Sequence, residues 1–280
     1  GFTGSNGTLV VSQTEAGLWT DGRYFIQAEI ELEGTGITLY RMQEEGVPTI
    51  VEYLTANVKR GDTVGFDGRV VDTATGKNFE TKLAAKEVKF YYGEDLADLI
   101  WEDRPGLPAH PVMILPEDIC GVSVDEKLKQ VRDKLQEKKC EYFLLSKLDD
   151  LMWLLNIRGK DVECNPVALS YGFVTPDEMY FFIQKKEETA AFYQYAKVHG
   201  IILKDYDDII PFLEAYDYKG KVLADEQNLS YLLYKVVSER TELVNGVNPT
   251  EMLKAIKNPV ELSMMRDIYI AECVPEGGIY

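Results

Sequence analysis

Short apolar runs separated by polar or turn-forming residues dominate the first hundred positions. Residues 8–11 and 16–20, rich in β-branched and aromatic side chains, flank the polar Ser12-Gln13-Thr14-Glu15 and predict a hairpin. The spacing then predicts a helix over 24–32, a strand over 38–42 and a helix opening at Pro48 with Ile50, Val51 and Leu54 on one face. Pro48 suits a first helical turn, where a missing N–H costs nothing. Residues 63–66 and 88–92 read as strands. Leu96, Leu99 and Ile100, set in the acidic stretch 94–103, predict a short amphipathic helix with a solvated charged face. Arg104-Pro105-Gly106-Leu107-Pro108 then breaks regular structure.

Beyond the break, Ser123 with Glu126 has the signature of a capping box ahead of Leu128, Val131 and Leu135 at helical spacing. A strand over 142–146 and a short helix over 149–155 lead to a second hairpin, 167–174 and 179–183, turned at Thr175-Pro176-Asp177-Glu178. The pattern continues as helix 188–198, strand 201–204, helix 209–215 and strand 222–224. A helix lined by Leu229, Leu232, Leu233, Val236 and Val237 and a strand near Leu243 complete it. Each half therefore runs hairpin, helix, strand, short helix, strand, helix, strand, short helix. Leu39 answers Leu203 and Ile50 answers Ile210, a period of about 160 residues that marks duplicated units. The expected architecture is α/β, with two tandem related domains over residues 1–113 and 114–257, each a mixed β-sheet with flanking helices. The second copy carries a leading helix and strand, residues 123–146, for which the first has no counterpart. Asn248-Pro249-Thr250-Glu251 and Asn258-Pro259-Val260-Glu261 read as successive helix starts. The second opens a further element over 258–280 that runs into the helix-breaking Val274-Pro275-Glu276-Gly277-Gly278.

Composition narrows the function classes. The chain has 280 residues, 45% of them hydrophobic, enough for two domains of about 100 to 200 residues each. Lys and Arg number 30 against 47 Asp and Glu, and the resulting net charge of −17 repels phosphate backbones and anionic lipid, which argues against a nucleic-acid or membrane-surface role. No apolar run approaches the roughly 20 residues of a membrane span, and the first residues lack the basic start and apolar core of a signal peptide, as expected of a cytoplasmic protein. Cys120, Cys140, Cys164 and Cys273 are far apart and form no CxxC pair, so reduced, mostly buried thiols are expected. The two histidines, His110 in a proline-rich stretch and His199 before Gly200, read as structural, and no metal site is expected from this chain alone. Gly4-Ser5-Asn6-Gly7 lacks the lysine and the following helix of a phosphate loop. Asp149 reads as a helix cap and Asp207-Asp208 as a solvated turn.

Three strings carry a resemblance to a known family. Gly1-Phe2-Thr3-Gly4-Ser5-Asn6-Gly7-Thr8 followed by Trp19-Thr20-Asp21-Gly22-Arg23-Tyr24-Phe25 resembles the amino-terminal domain of the creatinase/prolidase/aminopeptidase P family. Leu148-Asp149-Asp150-Leu151-Met152-Trp153-Leu154-Leu155-Asn156-Ile157-Arg158-Gly159-Lys160-Asp161-Val162 is similar to the middle domain of the three-domain aminopeptidases P. Lys257-Asn258-Pro259-Val260-Glu261 with Met265-Arg266 is similar to the first helix of the catalytic domain. The strings occur in the family's order and span nearly the whole chain. The resemblance implies two creatinase-N-like domains ahead of a missing catalytic "pita-bread" domain. It also implies a cytoplasmic metallopeptidase that releases the residue before proline from short peptides. Two divalent ions, usually manganese, would be held in that missing domain by two aspartates, a histidine and two glutamates, so this portion alone is expected to be inactive. The full-length protein would be a possible homodimer. One residue here inherits a role: Arg23 matches the family's arginine that reaches toward the active site and contacts peptide substrate. The alternative is that Arg23 pairs with Asp21 and fixes the loop. Trp19, Tyr24 and Phe25 either line the same mouth or belong to the core. The runner-up reading from another class is a non-catalytic peptide- or protein-binding module, as in the peptidase-like domain of a histone chaperone.

Overall fold

The first apolar runs pair as expected. β1 (Gly7–Val11) and β2 (Ala16–Thr20) are antiparallel, and β3 (Ile37–Arg41) lies parallel to β2 on its other side. The computed structural model describes residues 1–185 and 188–273. Those residues fall into two units, one of Gly1–Gly65 with Thr75–Tyr91, and a second that takes Phe66–Ala74 and the described residues from Tyr92 onward.

In the first unit, α1 (Phe25–Leu32) buries Ala28, and α2 (Ile50–Asn57) buries Leu54. The start of α2 differs from expectation: Thr49, not Pro48, sets it. The Thr49 Oγ1 accepts from Glu52 N–H (3.2 Å) while the Glu52 carboxylate accepts from Thr49 N–H (2.8 Å), a complete capping box. Pro48 stands outside the helix, where its carbonyl accepts the Trp19 indole N–H at 2.8 Å. The parallel pair β4 (Thr63–Gly65) and β5 (Lys89–Tyr91) is joined by α3 (Thr73–Leu83). Residues 94–103, which belong to the second unit, form turns and not the expected helix, with Asp95 and Asp98 both paired to the Arg104 guanidinium.

The second unit adds β6 (Met113–Ile114), α4 (Glu117–Cys120), α5 (Val124–Glu137), β7 (Tyr142–Leu145), α6 (Leu148–Leu154) and β8 (Ile157–Arg158). After these come β9 (Ser170–Val174), β10 (Met179–Ile183), α7 (Ala190–Val198), β11 (Ile201–Asp205), α8 (Ile209–Ala215), β12 (Val222–Ala224), α9 (Tyr231–Ser238) and β13 (Leu243–Asn245). α10 (Pro249–Ala255) and α11 (Pro259–Cys273) close the described chain. Its six-stranded sheet has the order β11-β10-β9-β7-β12-β13, parallel except for β9. β7 is buried on both faces: Phe143 and Leu145 join one core with α5, α6 and α7, and Tyr142 and Leu144 join the other with α8 and α9. That alternation is the period of two of a central strand covered by helices on both sides.

The expected duplication is present in the register. Val11 faces Ala16 as Val174 faces Met179, and Leu18 faces Leu39 as Phe181 faces Leu203. β4 and β5 match the parallel pair β12 and β13. What separates the copies is β7, which joins β9 to β12. Among the described residues no strand does this for β1 and β4, which lie in separate sheets.

Several smaller expectations change. Asp149 lies in the first turn of α6 without capping it, and Lys147 holds the cap position. The pair instead docks α10: the buried Asp150 accepts from Thr250 Oγ1 at 2.7 Å, and Lys254 reaches both carboxylates. Asp207 and Asp208 are exposed, as expected, but lie in a short 3-10 helix, Tyr206–Asp208. Cys120 and Cys140 are buried, but Cys164 is exposed on a loop. Asn258 caps α11 by accepting from Val260 and Glu261 N–H, and the breaker Val274-Pro275-Glu276-Gly277-Gly278 lies outside the described residues. Among the described residues no helix is long and apolar enough to cross a membrane.

Candidate functional site at the carboxyl end of β2

β2 is the middle strand of its sheet, and its last two residues are anchored firmly. Trp19 is buried, stacked on Tyr40 with ring centroids 3.9 Å apart. Thr20 is buried as well, its Oγ1 donating to the Asn6 carbonyl at 2.5 Å and its own carbonyl accepting from Met42 N–H. The chain leaves this strand as Asp21-Gly22-Arg23. Because Gly7 is in register with Thr20, the Gly1-to-Asn6 stretch is laid alongside this exit.

The two sequence strings thereby become one structure. Asn6 Nδ2 donates to Asp21 Oδ2 at 2.6 Å, and the Ser5 hydroxyl bonds that of Tyr24. The Phe2 ring meets Tyr24 edge-on at 6.0 Å. Thr3 donates through both N–H and Oγ1 to the Glu31 carboxylate on α1, and Gln27 donates to Thr3 and Glu31. Gly4 lets the two rings close on the chain here: a Cβ would lie 2.3 Å from the Phe2 ring and 2.9 Å from Tyr24, so both rings would have to shift.

Arg23 is held by this arrangement without being hidden. Asp21 Oδ1 accepts from Arg23 N–H (3.0 Å) and Nε (2.9 Å), while Oδ2 accepts from one Nη (2.7 Å). The guanidinium carbon stands 5.1 Å from the Tyr24 ring centroid, and the side chain is 65% exposed. The Arg23 guanidinium, helped by the Asn6 amide, holds the Asp21 carboxyl far below the usual carboxylate range, and Asp21 in turn raises Arg23. The hydrogen bond from Ser5 lowers the Tyr24 phenol. Such a fork, fixed along one edge by a carboxylate, keeps its other Nη for a carbonyl or carboxylate ligand.

Of the aromatic candidates, Trp19 belongs to the core, Tyr24 flanks Arg23, and Phe25 packs under the Arg41 guanidinium at 5.5 Å. Asn6, Ser5 and Glu31 are the participants that sequence reasoning missed. Both histidines are engaged structurally, His110 Nδ1 with Asp161 and His199 Nδ1 with Asp125, each at 3.0 Å. Among the described residues no three His, Cys, Asp or Glu side chains converge so as to hold a metal ion.

Two related α/β domains, the first presenting an arginine hook just past its central strand, define the class of protein. The chain belongs to the creatinase/prolidase family: models described as "Creatinase/Prolidase N-terminal domain" match residues 1–100 and 103–261. It is 33% identical to Xaa-Pro aminopeptidase app-1 of Caenorhabditis elegans over 97% of this chain and 45% of that protein. It is 31% identical to Xaa-Pro aminopeptidase 1 of Dictyostelium discoideum over 98% of this chain and 45% of that protein. The crystal structure of X-prolyl aminopeptidase from Caenorhabditis elegans, described as a cytosolic enzyme with a di-nuclear active site, superposes with a TM-score of 0.86 at 30% identity. That match covers 95% of this chain and 44% of the solved one. The chain thus spans about 45% of the length of the curated relatives it matches.

Proposed function

We propose that the chain is the non-catalytic amino-terminal portion of a cytoplasmic Xaa-Pro aminopeptidase, and that Arg23 contacts the peptide substrate. Residues 1–113 and 114–257 are its two supporting domains, and 258–280 opens the catalytic domain. The two family-model matches and the names of the relatives support the assignment. The observation that carries the role of Arg23 is the braced, exposed guanidinium at the carboxyl end of β2, with one edge fixed by Asp21 and the other available.

A pair of divalent ions, manganese the first choice, supplies Lewis-acid activation of water and of the scissile carbonyl when bound in the catalytic domain. No residue of this chain is assigned to hold them. The chain's own work is positioning: Arg23 holds a carbonyl or carboxylate of a short peptide, and Asp21, Asn6 and Tyr24 fix the direction from which it does so. A planar fork already oriented by a carboxylate loses little freedom on binding, so its contribution falls on substrate affinity.

The test uses the full-length protein with manganese and Xaa-Pro peptides. Arg23→Ala is expected to lower kcat/KM at least about tenfold, chiefly through KM, as the loss of a charge-assisted hydrogen bond requires. Arg23→Lys restores part of the loss. Unchanged kinetics in Arg23→Ala, with the fold intact by circular dichroism, would refute the role. An inactive full-length protein that still binds peptides through Arg23 would favour the binding-module reading instead.

A further inference from the structure

The Asp-Gly-Arg hook occurs twice. β2 is followed by Asp21-Gly22-Arg23, and β4 by Phe66 and then Asp67-Gly68-Arg69. The second hook has the same internal geometry as the first: Asp67 Oδ1 accepts from Arg69 N–H (2.8 Å) and Nε (3.2 Å), and Oδ2 accepts from one Nη (3.2 Å). It belongs to the second unit, where the backbone of its segment is clamped. Leu232 N–H donates to the Gly68 carbonyl and Tyr231 N–H to the Val71 carbonyl, both at 2.8 Å, and Thr73 N–H donates to the Leu229 carbonyl at 2.9 Å. Gly68 is packed so closely that a Cβ would lie 2.6 Å from the Tyr92 carbonyl oxygen.

Arg69 lines a cavity of about 370 Å³ at the carboxyl ends of β7 and β12. Open α/β sheets bind ligands in this crevice, where the connections from two neighbouring strands leave in opposite directions. Here β7 continues toward β9 on one side and β12 toward β13 on the other. The opposite wall is a tyrosine pair, Tyr171 and Tyr206, stacked at 5.0 Å with the Tyr206 hydroxyl donating to that of Tyr171 at 3.3 Å. That leaves the Tyr171 proton for a further acceptor. Arg69 is half exposed, and among the described residues it is the one cation in a lining otherwise made of polar and apolar groups and Asp72.

We infer that this crevice is a second binding site, independent of the peptidase reading, for a small monocarboxylate with an apolar body, of the amino-acid or short-peptide class. One guanidinium, already half-committed to Asp67 and acted on by the charges of Asp95 and Asp98, matches a single carboxylate at most. A phosphate dianion would meet too much negative charge in a chain of net charge −17. The volume exceeds what a bare anion fills, and the ring faces of Tyr171 and Tyr206 with Leu148 and Leu169 offer apolar wall to a side chain. The carboxylate takes the remaining Nη of Arg69 and the Tyr171 hydroxyl.

The experiment titrates the whole chain, followed by NMR of the tyrosine rings, with N-acetyl-leucine, N-acetyl-leucinamide and inorganic phosphate. N-acetyl-leucine is expected to bind and shift the Tyr171 and Tyr206 signals, with the amide about tenfold weaker and phosphate weaker still. Arg69→Ala is expected to weaken N-acetyl-leucine about tenfold and Tyr171→Phe to weaken it less. Equal binding of acid and amide, phosphate binding as well as the acid, an unaltered Arg69→Ala titration, or no binding at all would each overturn the inference.

Discussion

In the second unit β7 runs between β9 and β12 with all four residues buried; in the first, the matching neighbours β1 and β4 lie in separate sheets. The consequence falls on residues that occupy the same register position. Val174 is fully buried, whereas Val11, its counterpart, is 68% exposed, and Leu9 beside it is 53% exposed. Val11 and Val174 are the same residue type, so at this position the difference lies in neighbours and not in the residue itself. A central strand turns flanking strands into core, because each of its faces carries side chains against which the neighbours and the covering helices close.

The largest expected effect tests that comparison directly. Leu145→Ala removes a fully buried side chain from the carboxyl end of β7 and is expected to cost about 2–5 kcal/mol, through lost burial and a residual cavity. Val11→Ala, on an exposed face, is expected to change stability by less than about 0.5 kcal/mol. Urea unfolding followed by circular dichroism measures both. Comparable losses would mean that Val11 is packed as tightly as its counterpart.

The two Asp-Gly-Arg turns sharpen the comparison at the next level down. Around Gly22 the nearest atom to an added Cβ is the Phe25 ring at 3.8 Å, an ordinary contact, whereas Gly68 would press a Cβ against backbone. Gly68→Ala is therefore expected to destabilise by about 1–3 kcal/mol and Gly22→Ala to be near neutral. The same hook is braced through side chains in one setting and clamped through its backbone in the other. Thermal melts of the two variants decide it, and a neutral Gly68→Ala would show that the clamp is dispensable.

How much of this could be read from the residues depends on the range of the interaction. The strands of the second half were legible because runs such as Tyr142-Phe143-Leu144-Leu145 are apolar on both faces, and the duplication was legible from the order of runs. α3 could not be located because its sequence, with two threonines, Gly76 and Lys77 in the first turns, offers only Phe79 and Leu83 as a buried pair. β6 and β8, two residues each, fall below any periodic signal. Residues 94–103 misled because Leu96, Leu99 and Ile100 have helical spacing, while the bonds from Arg104 to Asp95 and Asp98 favour turns. Arg23 was legible as part of a string. Its brace was not, since Asn6 reaches Asp21 only through the register that sets Gly7 opposite Thr20. Arg69 was overlooked, although the repeated Asp-Gly-Arg was the available signal.

The units differ also in what charge they hide. Among the described residues the buried charged side chains, Lys127, Asp150, Asp161 and Glu226, all belong to the second unit. Lys127 on α5 donates to the Trp153 carbonyl (2.8 Å) and Asn156 Oδ1 (2.6 Å), with its ammonium 4.2 Å from the Trp153 ring centroid, so it ties α5 to the end of α6. Burial pushes its pKa down to about 8 from 10.5. Below pH 8 the folded and unfolded chains both carry the proton, and the cost of burying the ammonium is present in full. Between about 8 and 10.5 the folded amine is neutral while the unfolded one still binds a proton, so this residue's contribution to stability rises with pH. Relative to Lys127→Met, the wild-type chain is therefore expected to gain on the order of 3 kcal/mol across that interval. Urea midpoints for both chains at pH 7.5, 9 and 10.5 give the difference directly. A gap that stays constant across the series would mean that the hydrogen bonds to Trp153 and Asn156 keep the amine charged despite its burial.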